Sequence, residues 1–183
     1  MKPVYRLALI GLLVVSCSTK DSFKTISVND EYEVRLPSFL TKVSNLNDDA
    51  SLQYQHAWRN IMVLVIDESK HEFHDAITSN NLIDQYSIDL SGYLNIVIDN
   101  YRNNFNAITS SSINDTTSGN MKTKTVNMSA TVDGDNLHLK IAAVEGVKKY
   151  YQIIIITSRQ RAHEYSALSD TIVYSFREKV PTY

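Results

Sequence analysis

The chain has little of what breaks regular structure and almost nothing that could cross-link it. Five glycines and three prolines in 183 residues exclude a collagen-like or low-complexity chain. With 43% hydrophobic and 21% charged residues the balance is that of a globular domain. A single cysteine, Cys17, excludes a disulfide within the chain. No apolar run reaches the roughly 20 residues that a membrane-spanning helix needs. Basic residues are not in excess, 18 against 20 acidic ones, so the dense positive face of a nucleic-acid binder is missing. No GxSxG, P-loop or GxGxxG stands at a strand-to-helix turn, and Ser110–Ser112 have no identifiable base beside them. The sequence therefore assigns no catalytic residue, no metal ligand and no cofactor.

What is present begins with an address. Lys2 and Arg6 precede the apolar run Leu7–Val15, the layout of a signal peptide. The run ends in Val14, Val15, Ser16 and Cys17, which resembles the lipobox of bacterial lipoproteins, with Val14 where Leu is commonest. In that family the cysteine thiol is joined to diacylglycerol, the preceding peptide bond is cut and the new amino terminus is acylated. The resemblance implies lipidation at Cys17, a signal peptide over residues 1–16 and a short lipidated tether over 17–22. Two or three acyl chains suffice for stable anchoring where one would be marginal. Loss of Met1–Ser16 removes two basic residues and no acidic one, taking the net charge from −2 to −4. The tether reaches at most about 18 Å, so the folded body is expected close to the bilayer. Ser18 after the cysteine resembles the pattern sent to the outer membrane in Gram-negative lipoproteins.

The remainder, 23–183, reads as one domain. Phe23–Val28 and Glu31–Leu36 alternate around Asn29 and Asp30, an N-terminal hairpin. Leu52, Tyr54 and His56 alternate in a short strand. Ile61–Ile66 and Tyr150–Thr157 are apolar on both faces and so predict central strands covered above and below. Ser69 with Glu72 forms a capping box before a short helix carrying Phe73, Ala76 and Ile77. Leu90, Tyr93, Leu94, Val97, Ile98, Tyr101 and Phe105 form one face of a longer helix. Residues 106–120 are mostly Ser, Thr, Asn and Asp and predict a long polar loop. Val126–Val132 and Leu137–Ala143 predict a hairpin with Val132 opposite Leu137. Ala162, Tyr165, Leu168, Ile172 and Phe176 predict a last helix. The expected architecture is α+β: an antiparallel sheet of six or seven strands covered by helices on both faces, an α/β/α sandwich.

Three stretches carry a further resemblance. YEVRLPSFL (Tyr32–Leu40), ASLQY (Ala50–Tyr54) ahead of the MVLVIDE run, and YYQIIIITSR (Tyr150–Arg159) before a helix closing in Tyr174, Ser175 and Phe176 resemble the PsbP-like family. That family includes an extrinsic photosystem protein and a Ran-binding nuclear-import factor. The resemblance implies a non-enzymatic domain that binds or helps to assemble a larger complex, here an envelope protein or another envelope component. It transfers no metal site.

Other candidate chemistry is weaker. His71, Glu72 and His74 approach a zinc-protease helix, but the histidines are three apart and lack a third ligand. Asn45, Asn47 and Asp49 copy part of a calcium loop, but Ala50 and His56 fall where Gly and Glu are required. Arg159 and Arg161 at the start of the last helix make a possible anion-binding pair, beside the plainer reading of solvated or carboxylate-paired arginines. Two alternatives to a binding protein stay open: a metal-dependent or hydrolytic envelope enzyme, and a small-ligand or lipid carrier.

Overall fold

The computed structural model describes residues 21–179. The signal-peptide run, the Val14–Cys17 motif and all of the tether but its last two residues lie outside them. Strands β1 (Phe23–Val28) and β2 (Tyr32–Pro37) form the expected antiparallel hairpin. Asn29 and Asp30 take the left-handed backbone at φ 47° and 55°, which short polar side chains tolerate. A short β11 (Arg177–Glu178) pairs with β2 to complete a three-stranded sheet.

The larger sheet has eight antiparallel strands rather than six or seven. These are β3 (Thr41–Lys42), β4 (Ala50–His56), β5 (Ile61–Ser69), β6 (Asn106–Ser110), β7 (Asn114–Ser118), β8 (Met121–Val132), β9 (Asp135–Glu145) and β10 (Lys149–Ser158). Their order is β3-β4-β5-β10-β9-β8-β6, with β7 also paired to β8. Three helices complete the fold: α1 (Lys70–Ser79), α2 (Leu90–Asn104) and α3 (Ser166–Ser175).

Strand β10 lies in the middle and is apolar on both faces, as its sequence requires. Tyr150 and Tyr151, neighbours in sequence, point to opposite sides, and each belongs to an aromatic triad. Tyr150 stacks on Tyr93 with ring centroids 4.7 Å apart and meets Phe73 edge-on at 5.5 Å. Tyr151 packs with Phe176 at 4.9 Å and with Tyr32 at 5.5 Å. The first core therefore lies under α1 and α2, with Leu94, Ile98 and Ile154 buried in it. The second lies under α3 and the small sheet, with Leu36, Ile153 and Ile172. One face is thus covered by helices alone, and the other by a helix and a hairpin.

The local signals act as their chemistry predicts. Ser69 Oγ accepts from the Glu72 amide at 3.4 Å and opens α1. Asp89 Oδ1 accepts from the Ser91 and Gly92 amides at 2.9 and 3.0 Å and opens α2. Gly92 is more than a weak spot in that helix, because a Cβ there would run into the Ser87 carbonyl. The absent side chain lets the 82–89 segment fold tightly against α2.

Three expectations are corrected. Residues 106–120 are not a loop: β6 and β7 both pair along the twelve-residue β8, whose length gives their Ser/Thr-rich backbone a partner. Ser118 is even fully buried, its hydroxyl donating to the Val173 and Phe176 carbonyls. The β8–β9 register places Val132 opposite Asp135 and Ala130 opposite Leu137. Asp133 and Gly134, at φ 50° and 90°, make a tighter two-residue turn, and a shift of two keeps every side chain on its expected face. The last helix starts at Ser166 rather than Ala162, because Arg159–Arg161 form a 3-10 turn drawn against the β4–β5 connection.

Candidate functional site

The β4–β5 connection is a 3-10 turn, Ala57–Arg59, held from several directions. His56 Nδ1 accepts from the Arg59 amide at 3.3 Å, and Asn60, left-handed at φ 49°, donates its amide to the Ala57 carbonyl at 3.0 Å. The Arg59 carbonyl accepts from Arg161 Nη1 at 2.9 Å and from the Tyr165 hydroxyl at 3.2 Å. The Arg59 guanidinium lies 4.1 Å from the centroid of Phe39 and pairs with Asp21 at 3.4 Å. At the crest of this turn Trp58 is 94% exposed.

Beside the turn runs an open groove of about 590 Å³. The β4–β5 turn forms one wall, Gly134–Leu137 of the β8–β9 hairpin another, and Ser158 and Gln160 its floor. Next to it, under α3, a small polar cavity of about 60 Å³ is lined by Asn127, His138, Lys140, Thr157, Ser166 and Ser169. Lys140, in this lining, is ion-paired with Asp170 of α3. Burial, helped by the Lys140 charge, pushes the His138 imidazole below its ordinary value, so it is neutral near pH 7. The buried Thr157 hydroxyl has no hydrogen-bond partner among the described residues.

The opposite end of the sheet is built differently. Lys149 Nζ sits 2.7 Å from Asp67 and 2.9 Å from Glu31, joining the large sheet to the N-terminal hairpin. Burial works against the charge of Asp67, but hydrogen bonds from Lys149 and Ser51, with the ammonium charge, outweigh it and hold the carboxyl below its ordinary value. Burial likewise works against Lys149, and its two carboxylates raise it nonetheless. Glu178 accepts from the Tyr151 hydroxyl at 3.0 Å and the Val147 amide at 2.7 Å, and Tyr32 bonds Ser51 at 2.8 Å. Each polar group here is met by another.

The residues singled out in the sequence are dispersed. Cys17 lies outside the described residues. Arg159 and Arg161 fall in the 3-10 turn ahead of α3; Arg161 is spent on Arg59, Tyr165 and Glu164, whereas Arg159 is exposed. His71 pairs with Asp75 at 2.8 Å on the exposed side of α1, and His74 leans on Phe73. Among the described residues no three His, Cys, Asp or Glu side chains gather as a metal site. In the 45–49 loop Asn47 Oδ1 accepts from the Asp49 amide, and Gln53 holds the loop through the Leu46 and Asn47 amides. Trp58 is the residue that the sequence passed over. The available signal was a lone large aromatic between two strands, among residues that the alternating pattern does not claim.

No family model matches the sequence, and no curated protein matches it. In fold the chain is similar to cyanobacterial PsbP (CyanoP) of Synechocystis sp. PCC 6803, with a TM-score of 0.61 and 14% identity over 97% of this chain and 99% of that one. It is also similar to the Ran-binding protein Mog1p of Saccharomyces cerevisiae, with a TM-score of 0.57 and 9% identity over 86% and 96% of the two chains. At these identities the likeness is one of architecture, and it establishes the α+β fold as PsbP-like.

Proposed function

We propose that this chain is an acyl-anchored lipoprotein of the cell envelope, carried by the outer membrane, whose PsbP-like domain binds or helps to assemble a protein at the membrane surface. The observation that carries the anchor is Val14-Val15-Ser16-Cys17 at the end of a nine-residue apolar run, since a thiol after small residues is what lipid transfer and cleavage require. Strand β1 starts at Phe23, six residues after Cys17, so little chain separates the anchor from the folded body. The non-enzymatic role is supported by the fold shared with the Ran-binding protein, whose own name records a protein ligand.

Two measurements test this reading. Cells fed a labelled fatty acid should yield the protein labelled at Cys17; an unlabelled protein refutes the anchor. Crosslinking in intact cells followed by mass spectrometry should recover a reproducible envelope partner. Recovery of the uncrosslinked monomer alone at native expression would refute the binding role.

A further inference from the structure

We infer that Trp58 seats its indole in the headgroup layer of the bilayer that carries the protein, so that the β4–β5 end of the sheet faces the membrane. This rests on the acyl-anchor reading above and adds an orientation to it. Neither core includes Trp58. Its turn is fixed by His56, Asn60, Arg161 and Tyr165, so the backbone that carries the ring is held in place while the ring itself is 94% exposed. An indole has an apolar body and one N–H donor, and its preferred place is the boundary between hydrocarbon and water.

The contacts of Asp21 and Ser22 select the bilayer over other occupants. Asp21 is ion-paired with Arg59, and the Ser22 carbonyl accepts from the Ser38 amide at 2.8 Å. Both contacts bring the amino-terminal end of the body to the Trp58 turn, beside Phe39. Cys17 is four residues earlier in sequence, a reach of at most about 14 Å from Asp21. Acyl chains on that sulfur place the bilayer surface near Asp21, whose carboxylate touches the Arg59 side chain of the turn. The surroundings fit an interface: Arg59 lies on the ring of the half-buried Phe39, and Arg159 is exposed on the adjoining turn. Asp135 stands on the other wall of the groove, so the charge at this end is mixed. Insertion of the indole, more than attraction to anionic lipid, sets the orientation.

The chain has one tryptophan, so fluorescence excited beyond the tyrosine band reads Trp58 alone. The full lipidated protein, purified from membranes, is reconstituted into phosphatidylcholine vesicles with and without bromine on the upper acyl chain. Mass spectrometry of the Cys17 peptide and flotation with the vesicles report the anchor separately. The expected result is an acylated, vesicle-bound protein with blue-shifted emission that loses most of its intensity in the brominated vesicles. Acylated, floating protein with water-like emission, equal in both vesicle types, overturns the orientation and leaves the anchor standing. Blue-shifted emission insensitive to bromine also overturns it, since the ring is then covered by protein, either another subunit or a second copy. A Cys17 peptide without acyl mass removes the anchor and the orientation together.

Discussion

The two ends of the large sheet handle their polar groups in opposite ways. At the Lys149 end the ammonium meets the carboxylates of Glu31 and Asp67, Tyr151 donates to Glu178, and Tyr32 bonds Ser51, so that the large sheet is joined to the small one. At the Trp58 end the backbone is tied down equally well, but the ties leave an indole and Arg159 facing outward, beside an open groove. The first end spends its polar chemistry on joining the hairpin to the sheet. The second uses similar bonds to hold a surface in shape. A domain that needed only to fold would gain nothing from the second arrangement, since an exposed tryptophan adds no buried area.

The largest effect is expected from Lys149→Met. Asp67, whose side chain is 15% exposed, and Glu31 would then face each other without a counter-ion. Denaturant unfolding at pH 7 should show a loss of about 2–3 kcal/mol, between the value of a charged hydrogen bond and that of a buried ion pair broken on one side. The pH dependence gives the sign. Asp67 is held below its ordinary 3.8, so its contribution is complete above that value and disappears as pH falls through the lower folded value. Lys149 is raised above 10.5, so its share persists below that and is lost only at higher pH. The gap between wild type and variant should therefore close in acid. A gap that stays constant down to pH 2 would mean that the cluster is not an ionic clamp.

Arg161→Ala comes next. It removes a hydrogen bond to the Arg59 carbonyl of the Trp58 turn, another to the Tyr165 hydroxyl and an ion pair to Glu164, for a loss of about 1 kcal/mol. Hydrogen exchange at the amides of 57–60 should quicken more than in β10; uniform quickening would show that Arg161 supports the whole fold and not this turn. His138 should have a smaller effect, confined to acid. Its folded value is depressed, so stability is unaffected above pH 6.5 and declines below it, as the unfolded chain takes up a proton that the native chain refuses. His138→Gln should flatten that decline between pH 6.5 and 5, and an NMR titration should place the imidazole below 6.5.

How far the sequence predicts these features depends on whether a signal is local. The both-face apolar runs at Ile61–Ile66 and Tyr150–Thr157 become strands of the sheet interior, because a period of two with no polar face leaves few alternatives. Helices α1 and α2 are similarly legible from Ser69, Glu72 and the Leu90–Ile98 stripe. Strands β6 and β7 are not, since Ser, Thr and Asn in alternation look like loop until a long partner strand supplies the hydrogen bonds. Gly92 reads as a propensity cost, whereas its reason, the approach of Ser87, is tertiary. The start of α3 is displaced by a carbonyl some hundred residues earlier, that of Arg59. The candidate surface was legible only through Arg159 and Arg161; Trp58 stands out once its turn is seen to be rigid and its ring uncovered.

The smallest expected effect on stability is also the sharpest test of the contrast between the ends. The Trp58 indole is 94% exposed and, among the described residues, joins neither core and stacks on no other ring. Trp58→Ala therefore removes no buried area, and surface substitutions of this kind stay within about 0.5 kcal/mol. Urea midpoints of the wild type and variant should coincide in solution, while Arg161→Ala, one contact away, should shift the midpoint measurably. A loss above about 1 kcal/mol for Trp58→Ala would mean that the ring packs on the body in solution, and this end would then be as closed as the other. A tryptophan that costs the fold nothing when removed is held outward for something beyond the fold, and the nearest candidate is whatever lies at the other end of the four-residue link to Cys17.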